Sequence, residues 1–600
     1  IRTDKNKETA KENYLSFDQL NGWHPFQEKV PESVLLYHAK QREDGQVLYF
    51  NFNLAREMGL ISETHPQELT NELAKKLLAT FNLQIINEYD LQNKKSTSEQ
   101  PDSNQFMATR YLQLQHQNKQ GKTSGDGRSI WNGLVTRDGK SWDVSSRGTG
   151  VTRLSPGYVQ AQKPLKTGST KFGYGCGLAE VDELISSAIQ SEIFHQQGIY
   201  TERMLCIIDV GKGCGVGVRA APNLLRPAHL FLYLKQGRRE ELKKCFEFFF
   251  EREKLNSLNL NWKNFIPFYS DHLAKLVAYC ESHFIFFWLD WDGDNCLMHP
   301  GIIDYGSIRQ FGLNHDSYRY DDITRYSTTL GEQKIKAKGI LQSFLQALDF
   351  VQTGHKKRFE SFQNHPELQK FKSLFFQHKR HFILQRLGFN ELQIRYLLKM
   401  QRRKTLKMLQ TFEKLESLKV TGKTQKVPDG INIPPMLNTR ESLYQLAHDL
   451  EAWSELASEK KPKWSQLKIP FLGSSFVPKR RKQMLNKHQS TWNQFQKLYF
   501  ELIEHGLHLN FSQSTQNGPS GSVLNAASAK KLKDFALDLK TQNTPMRITG
   551  NGIIQLTHLI CKKWKKENSF LEIQNTIDRL IKGHYNDDEL ALVLENRQSI

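Results

Sequence analysis

"GDNCLMHPGIIDYG", residues 293–306, sets an Asp-Asn pair and an Asp-Tyr-Gly on either side of a His-Pro-Gly turn. Pro300 and Gly301 are turn formers, and the flanks "CLM" and "IID" are short apolar runs, which predicts a tight hairpin. With His299-Pro300 as a two-residue loop, Met298 faces Gly301, Cys296 faces Ile303 and Asn295 faces Asp304. Directly opposed residues have Cβ atoms about 4.5–5.5 Å apart, close enough for two side-chain oxygens to share one cation. Asn with Asp is a hard-oxygen pair, which suits Mg2+ or Mn2+ held partly by substrate phosphates better than it suits zinc. Asp294, next door, is a carboxylate able to accept a proton. The competing reading of the stretch alone is a surface hairpin with polar ends.

A chain of 600 residues has length for three or four domain-sized units. Its seven cysteines are odd in number and scattered without metal-type spacing, which fits a reducing compartment better than a disulfide framework. The longest apolar runs, "CFEFFF" and "HFIFFWLDW", are far shorter than a membrane span. No secretory pattern follows Ile1, so a cytoplasmic location is expected, or an organellar one if an address preceded that residue. A monomer is expected.

Charge divides the chain. Residues 1–330 carry 39 Lys+Arg against 39 Asp+Glu, whereas residues 331–600 carry 44 against 24, the whole of the +20 excess. Basic clusters such as "HKKRF" (355–359), "QRRKTLK" (401–407), "PKRRKQ" (478–483) and "KKWKK" (562–566) are able to attract nucleic acid, an acidic protein or anionic lipid. No nucleic-acid module accompanies them, and aromatics do not interleave with them as a stacking platform requires, so solvated helix faces are the better account of them.

Pattern and punctuation give a coarse layout. "SIWNGLV", "TRDGK" and "SWDVSS" read as strand, Asp-Gly turn and strand. Residues 93–127 and 151–178 read as loops. Residues 178–198 have helical spacing, acidic first turns and Gly198 as a stop. "MLCIIDV" (204–210) is a strand, "GVGVRAA" begins another, residues 268–283 form a helix, and beyond 332 nearly everything is helical. The expected units are an N-terminal extension (1–100), a β-rich lobe (101–235), a helical lobe with the hairpin (236–425) and a basic helical region (426–600). The fold class expected is α+β, a β-rich lobe followed by a helical one as in protein kinases, with an extended helical C-terminal region.

Glycine and arginine recur before the hairpin. "SGDGRS" (124–129) offers Gly125, Gly127 and Arg128, "RGTG" adds Arg147, "GYGCG" adds Cys176 and Gly177 at a helix start, and "VRAAPNLLRPAH" adds Arg219 and Arg226. Glycines let backbone amides approach phosphate oxygens, and guanidinium groups bind them bidentately. Each arginine taken singly is better explained by an ordinary surface salt bridge. Their order ahead of an Asp-Asn…Asp-Tyr-Gly hairpin is what points to a nucleotide.

"GDGRSIWNGLV…WDVSSRGTGVT", "SEIFHQQGIYTERML", "VRAAPNLLRPAHL" and "DNCLMHPGIIDYG" resemble, in order and spacing, motifs of the selenoprotein O (YdiU) family of kinase-like protein adenylyltransferases. The resemblance runs from about residue 22 to about 315. It implies ATP bound in a kinase-like cleft with Mg2+ or Mn2+, and AMP passed to Ser, Thr or Tyr hydroxyls of partner proteins. It implies Asp294 as proton acceptor, Asn295 and Asp304 as metal ligands, and Gly125, Gly127 and Arg128 as the first nucleotide loop. It also implies Arg219 and Arg226 as phosphate-binding residues. The chain departs from the family where its Lys falls on Arg147, its helix Glu on Ser187, and its second "GDGR" on "GCGL" at Cys176 and Gly177. Glu183 lies one turn before Ser187 on the same helix face, placed to compensate. Two other readings stand beside this one: a catalytically weakened kinase-like module whose basic half docks an acidic partner or RNA, and ordinary γ-phosphoryl transfer.

Overall fold

Asp138 and Gly139 both adopt positive φ, +50° and +75°, and close a two-residue turn between Arg137 and Lys140. This is the hairpin geometry that an Asp-Gly pair favours. It joins the central strands of a sheet in a computed structural model. The structure describes residues 13–93, 104–114, 120–169, 171–172, 176–287, 289, 292–310, 330–418, 425–426, 432–433, 437, 439–456, 462–471, 478–511, 524–543, 550–584, 586 and 588–589. Of the "GYGCG" stretch, residues 173–175 lie outside the described residues.

Nine strands form the main sheet: β1 (Val34–Gln41), β2 (Gln46–Phe50), β3 (Leu83–Ile85), β4 (Gln105–Thr109), β5 (Ser129–Arg137), β6 (Lys140–Arg147), β7 (Ala179–Glu180), β8 (Arg203–Asp209) and β9 (Cys214–Ala221). Their order is β2-β8-β9-β6-β5-β4-β1-β3, with β7 attached to β9, and every pairing is antiparallel. β4 lies inside the stretch 93–127, read from sequence as loop. Its apolar run is only Phe106–Ala108, too short to stand out against polar flanks, and pairing with β1 and β5 makes it a strand. Helix Val181–Gln196 matches its sequence reading, and Gly198 beyond it takes φ +71°.

The helical part begins with Pro227–Gln236, Arg239–Leu255 and Phe265–Ser282, followed by Leu330–Thr353 and Pro366–Arg386. These bury Phe246, Phe249, Phe265, Tyr269 and Phe344 in one core, which continues into Met107, Trp131 and Ala221 of the sheet. A second core lies among the helices between residues 383 and 539. Helices Gly550–Glu567 and Phe570–Ile581 return to the sheet: Ile553, Leu556, Ile560, Trp564, Ile573 and Ile577 share a core with Leu184, Ile185, Ala188 and Ile189 of helix Val181–Gln196. The chain is therefore α+β, an antiparallel sheet with many helices, compatible with a kinase-like fold. Among the described residues no helix is long and apolar enough to cross a membrane.

The hairpin at 293–306 forms, with a different register from the one its sequence suggests. Cys296 pairs with Ile302, and the Leu297 N–H donates to the Gly301 carbonyl at 3.1 Å, so the loop is Met298-His299-Pro300. Met298 is fully buried and gives its N–H to the Leu225 carbonyl (2.7 Å), which removes it from the ladder. The Cys296–Ile302 bridge is isolated and Asp304 takes φ +69°, so the ladder does not run on as far as Asp304.

Candidate active site

Arg147 ends β6 and Arg219 lies on β9. Because Ser145 pairs with Arg219 and Arg147 with Gly217, the two arginines share one sheet face on a diagonal. Both are buried, 2% and 4% exposed. Between them stands Glu202, also 2% exposed. Its Oε1 accepts from Arg147 Nη2 at 2.8 Å and from the Asp304 N–H at 3.0 Å, while its Oε2 accepts from Arg219 Nη1 at 2.8 Å. Burial opposes ionisation, but Arg219 and Arg147 together hold the Glu202 carboxyl below its ordinary range.

Helix Val181–Gln196 supplies Glu183. Arg128, entering β5, grips it bidentately at 2.7 and 3.1 Å, and Arg147 Nη1 lies 3.4 Å from the same carboxylate. Ser187 turns its hydroxyl to the Glu183 carbonyl, so the carboxylate on this helix that meets Arg147 is Glu183.

The hairpin contributes the other two acids. Asp294 is 5% exposed: Oδ1 accepts from Arg226 Nη1 at 2.6 Å and Oδ2 from Gln113 Nε2 at 2.8 Å. The Arg226 guanidinium in turn lies over the Tyr111 ring, 4.5 Å from its centre. Burial raises the Asp294 carboxyl above its ordinary range, Arg226 opposes that, and the Asp304 charge adds to it. Asp304 takes φ +69°, uncommon for a non-glycine residue, and its side chain is 39% exposed. Burial would raise it, yet Arg147, Arg128, Arg226 and Arg219 hold its carboxyl down at about 2. Asp304 Oδ1 lies 3.7 Å from Arg147 Nη1 and accepts from the Gly306 N–H at 3.3 Å. Arg128, Arg147, Arg219 and Arg226 thus converge with Glu183, Glu202, Asp294 and Asp304.

Asn295 follows Asp294 at the same turn and is half-buried. Among the described residues, no three His, Cys, Asp or Glu side chains surround one point as a metal cage. An ionised, solvent-facing Asp304 carboxylate and an Asn amide are nonetheless the donors a hard divalent ion takes when phosphates and water complete its shell.

The glycines are explained by neighbouring main chain. A Cβ on Gly125 (φ +152°) would lie 2.1 Å from the Thr109 carbonyl, and one on Gly177 (φ +82°) 2.2 Å from the Val151 nitrogen. At Gly127 it would meet Ser155 Cα at 2.8 Å. Cys176 is buried beside Gly177, and its carbonyl accepts from the Gly168 N–H at 2.9 Å. Asp126, between Gly125 and Gly127, takes three bonds on Oδ2, from the Thr109 N–H and hydroxyl and from Trp131 Nε1, and so locks the loop. Sequence reasoning singled out neither Glu202 nor the 111–113 loop. Glu202 is one acid at a strand start, and nothing in its neighbours announces that two arginines converge on it.

No family model matches the chain. The protein nucleotidyltransferase YdiU of Pseudoalteromonas atlantica is 23% identical over 297 residues, covering 43% of this chain and 57% of that relative. The chain thus spans little more than half the length of the relative it matches.

Proposed function

We propose that the chain is an ATP- and metal-dependent protein nucleotidyltransferase that passes AMP to Ser, Thr or Tyr hydroxyls, built on a kinase-like bilobal fold. The observation that carries the reading is the meeting of Arg128, Arg147, Arg219 and Arg226 with Asp294 and Asp304 at the mouth of the hairpin. The likeness to a YdiU nucleotidyltransferase supports the reaction class.

In this reading Arg147, Arg219 and Arg226 receive the phosphates and offset the charge that develops on them during transfer. Asn295 and Asp304 would hold Mg2+ or Mn2+, which when bound neutralises phosphate oxygens. Asp294 takes the proton of the incoming hydroxyl. Each of its oxygens accepts one hydrogen bond and keeps another acceptor site, and its raised affinity for protons suits a base.

A second reading, a catalytically weakened kinase-like module, draws on the same atoms. Asp294 is buried and held by Arg226 and Gln113, and Arg128 is spent on Glu183. Incubation with a protein acceptor and ATP labelled at the α or the γ phosphate separates the readings. Protein-bound α label supports nucleotidyl transfer, γ label means phosphoryl transfer, and neither leaves the weakened module.

A further inference from the structure

We infer that Glu202 is a positioning residue of this site, the carboxylate that sets the spacing of Arg147 and Arg219 and fixes the main chain at Asp304. The inference rests on the nucleotide-binding part of the reading above and adds to it a residue that lies within the "SEIFHQQGIYTERML" stretch but had no role assigned to it.

The need for such a group follows from the sheet register. Two guanidinium groups on one face of adjacent strands repel, and both are removed from water, which weakens screening. A single anion between them resolves the conflict only if each oxygen serves a different arginine, which is how Glu202 is arranged. The same Oε1 that takes Arg147 also takes the Asp304 N–H. One side chain therefore ties β6, β9 and the hairpin exit, three segments remote in sequence.

What Glu202 leaves unused points to a ligand. Arg219 Nε is buried with no hydrogen-bond partner among the described residues, although the guanidinium is fixed at Nη1. An unsatisfied buried N–H costs stability unless something completes it, and an anionic oxygen is the natural acceptor. Glu183 cannot substitute for Glu202 at this task, since Arg128 already holds it bidentately and its approach to Arg147 is longer, 3.4 against 2.8 Å.

Equilibrium binding of the fluorescent analogue TNP-ATP with Mg2+ tests this, alongside thermal melting. Glu192→Gln is the matched control: Glu192 is a buried carboxylate paired with Arg203 at 2.7 and 2.8 Å, on the same helix as Glu183 but contacting none of the four site arginines named above. Both Gln variants are expected to lower the melting temperature. Only Glu202→Gln is expected to weaken TNP-ATP binding, by about 10–100-fold, as supporting residues behind a ligand set typically do. Should Glu202→Gln not fold, Glu202→Asp, which keeps the charge and shortens the reach, carries the test with an expected loss of about tenfold. Wild-type affinity in the folded Glu202 variants overturns the inference and leaves the proposed function standing. Absence of TNP-ATP binding by the wild type overturns both. Binding without α-label transfer removes the transferase reading alone.

Discussion

Arg226 donates to Asp294 across 2.6 Å, with both side chains almost wholly buried. A pair of this kind is costly to break from one side, because the survivor is a buried charge without its counterion. Arg226→Met is expected to lower unfolding stability by about 3–5 kcal/mol, whereas Arg226→Met with Asp294→Leu costs markedly less. Urea midpoints of the single and double variants check this, and equal losses would contradict it.

Asp304 is placed differently, half open to solvent and ionised. Asp304→Asn keeps a residue type tolerant of positive φ, so the fold is expected to survive. Under the proposed function, α-label transfer falls at least about a hundredfold, as when a group that stabilises transition-state charge is lost. Transfer at the wild-type rate in both Asp304→Asn and Asn295→Ala would remove the metal-ligand assignment.

Histidine burial gives the fold a pH dependence. His229 accepts the Arg226 N–H at Nδ1 (3.0 Å), and its Nε2 bonds Thr109 Oγ1 (3.0 Å), whose proton goes to Asp126. This network calls for the neutral imidazole protonated at Nε2. Burial pushes His229 down to about 3 and also lowers His24. The unfolded chain takes up protons near pH 6.5 that the fold refuses, so stability is full above about pH 7 and declines towards about pH 3. The slope is at most ~1.4 kcal/mol per pH unit for each histidine. Urea unfolding between pH 7 and pH 5 should show it, with a shallower slope in His229→Asn. A flat wild-type profile would refute this account.

Gly177→Ala confronts main chain at 2.2 Å in a left-handed conformation. A loss of about 2 kcal/mol or more is expected, since neither strain nor clash is relieved by rotating a side chain. Gly139→Ala is the contrast: it is also at positive φ, but with open space around it, and should cost only about 1 kcal/mol. Melting temperatures of the two variants rank them.

Trp564 is 4% exposed and donates from Nε1 to Asp209 at 2.6 Å. Trp564→Ala is expected to cost about 3–5 kcal/mol. Hydrogen exchange should quicken in helix Val181–Gln196, which this residue helps to cover. Unchanged exchange there would show that the two elements open independently.

Much of this was legible residue by residue. Asp138-Gly139 announces its hairpin because few other pairs tolerate two positive φ values. Helix Val181–Gln196 has its acidic start and glycine stop written locally. The hairpin register was not legible, because the loop length depends on the Leu225 carbonyl capturing the Met298 N–H, a contact between segments far apart in the chain. Glu202 escaped for the same reason: its partners come from β6, β9 and the hairpin exit, and only the sheet order brings them together.

Ile189 and Ile553 share a core although some 360 residues are made between them. At ~5–20 residues per second, a ribosome leaves the apolar flank of the Glu183-bearing helix uncovered for roughly 20–70 s. Until the final helices emerge, that apolar face of the nascent chain is expected to lack its native cover. A ribosome stalled before residue 550 would hold the arginine cluster beside an unfinished wall.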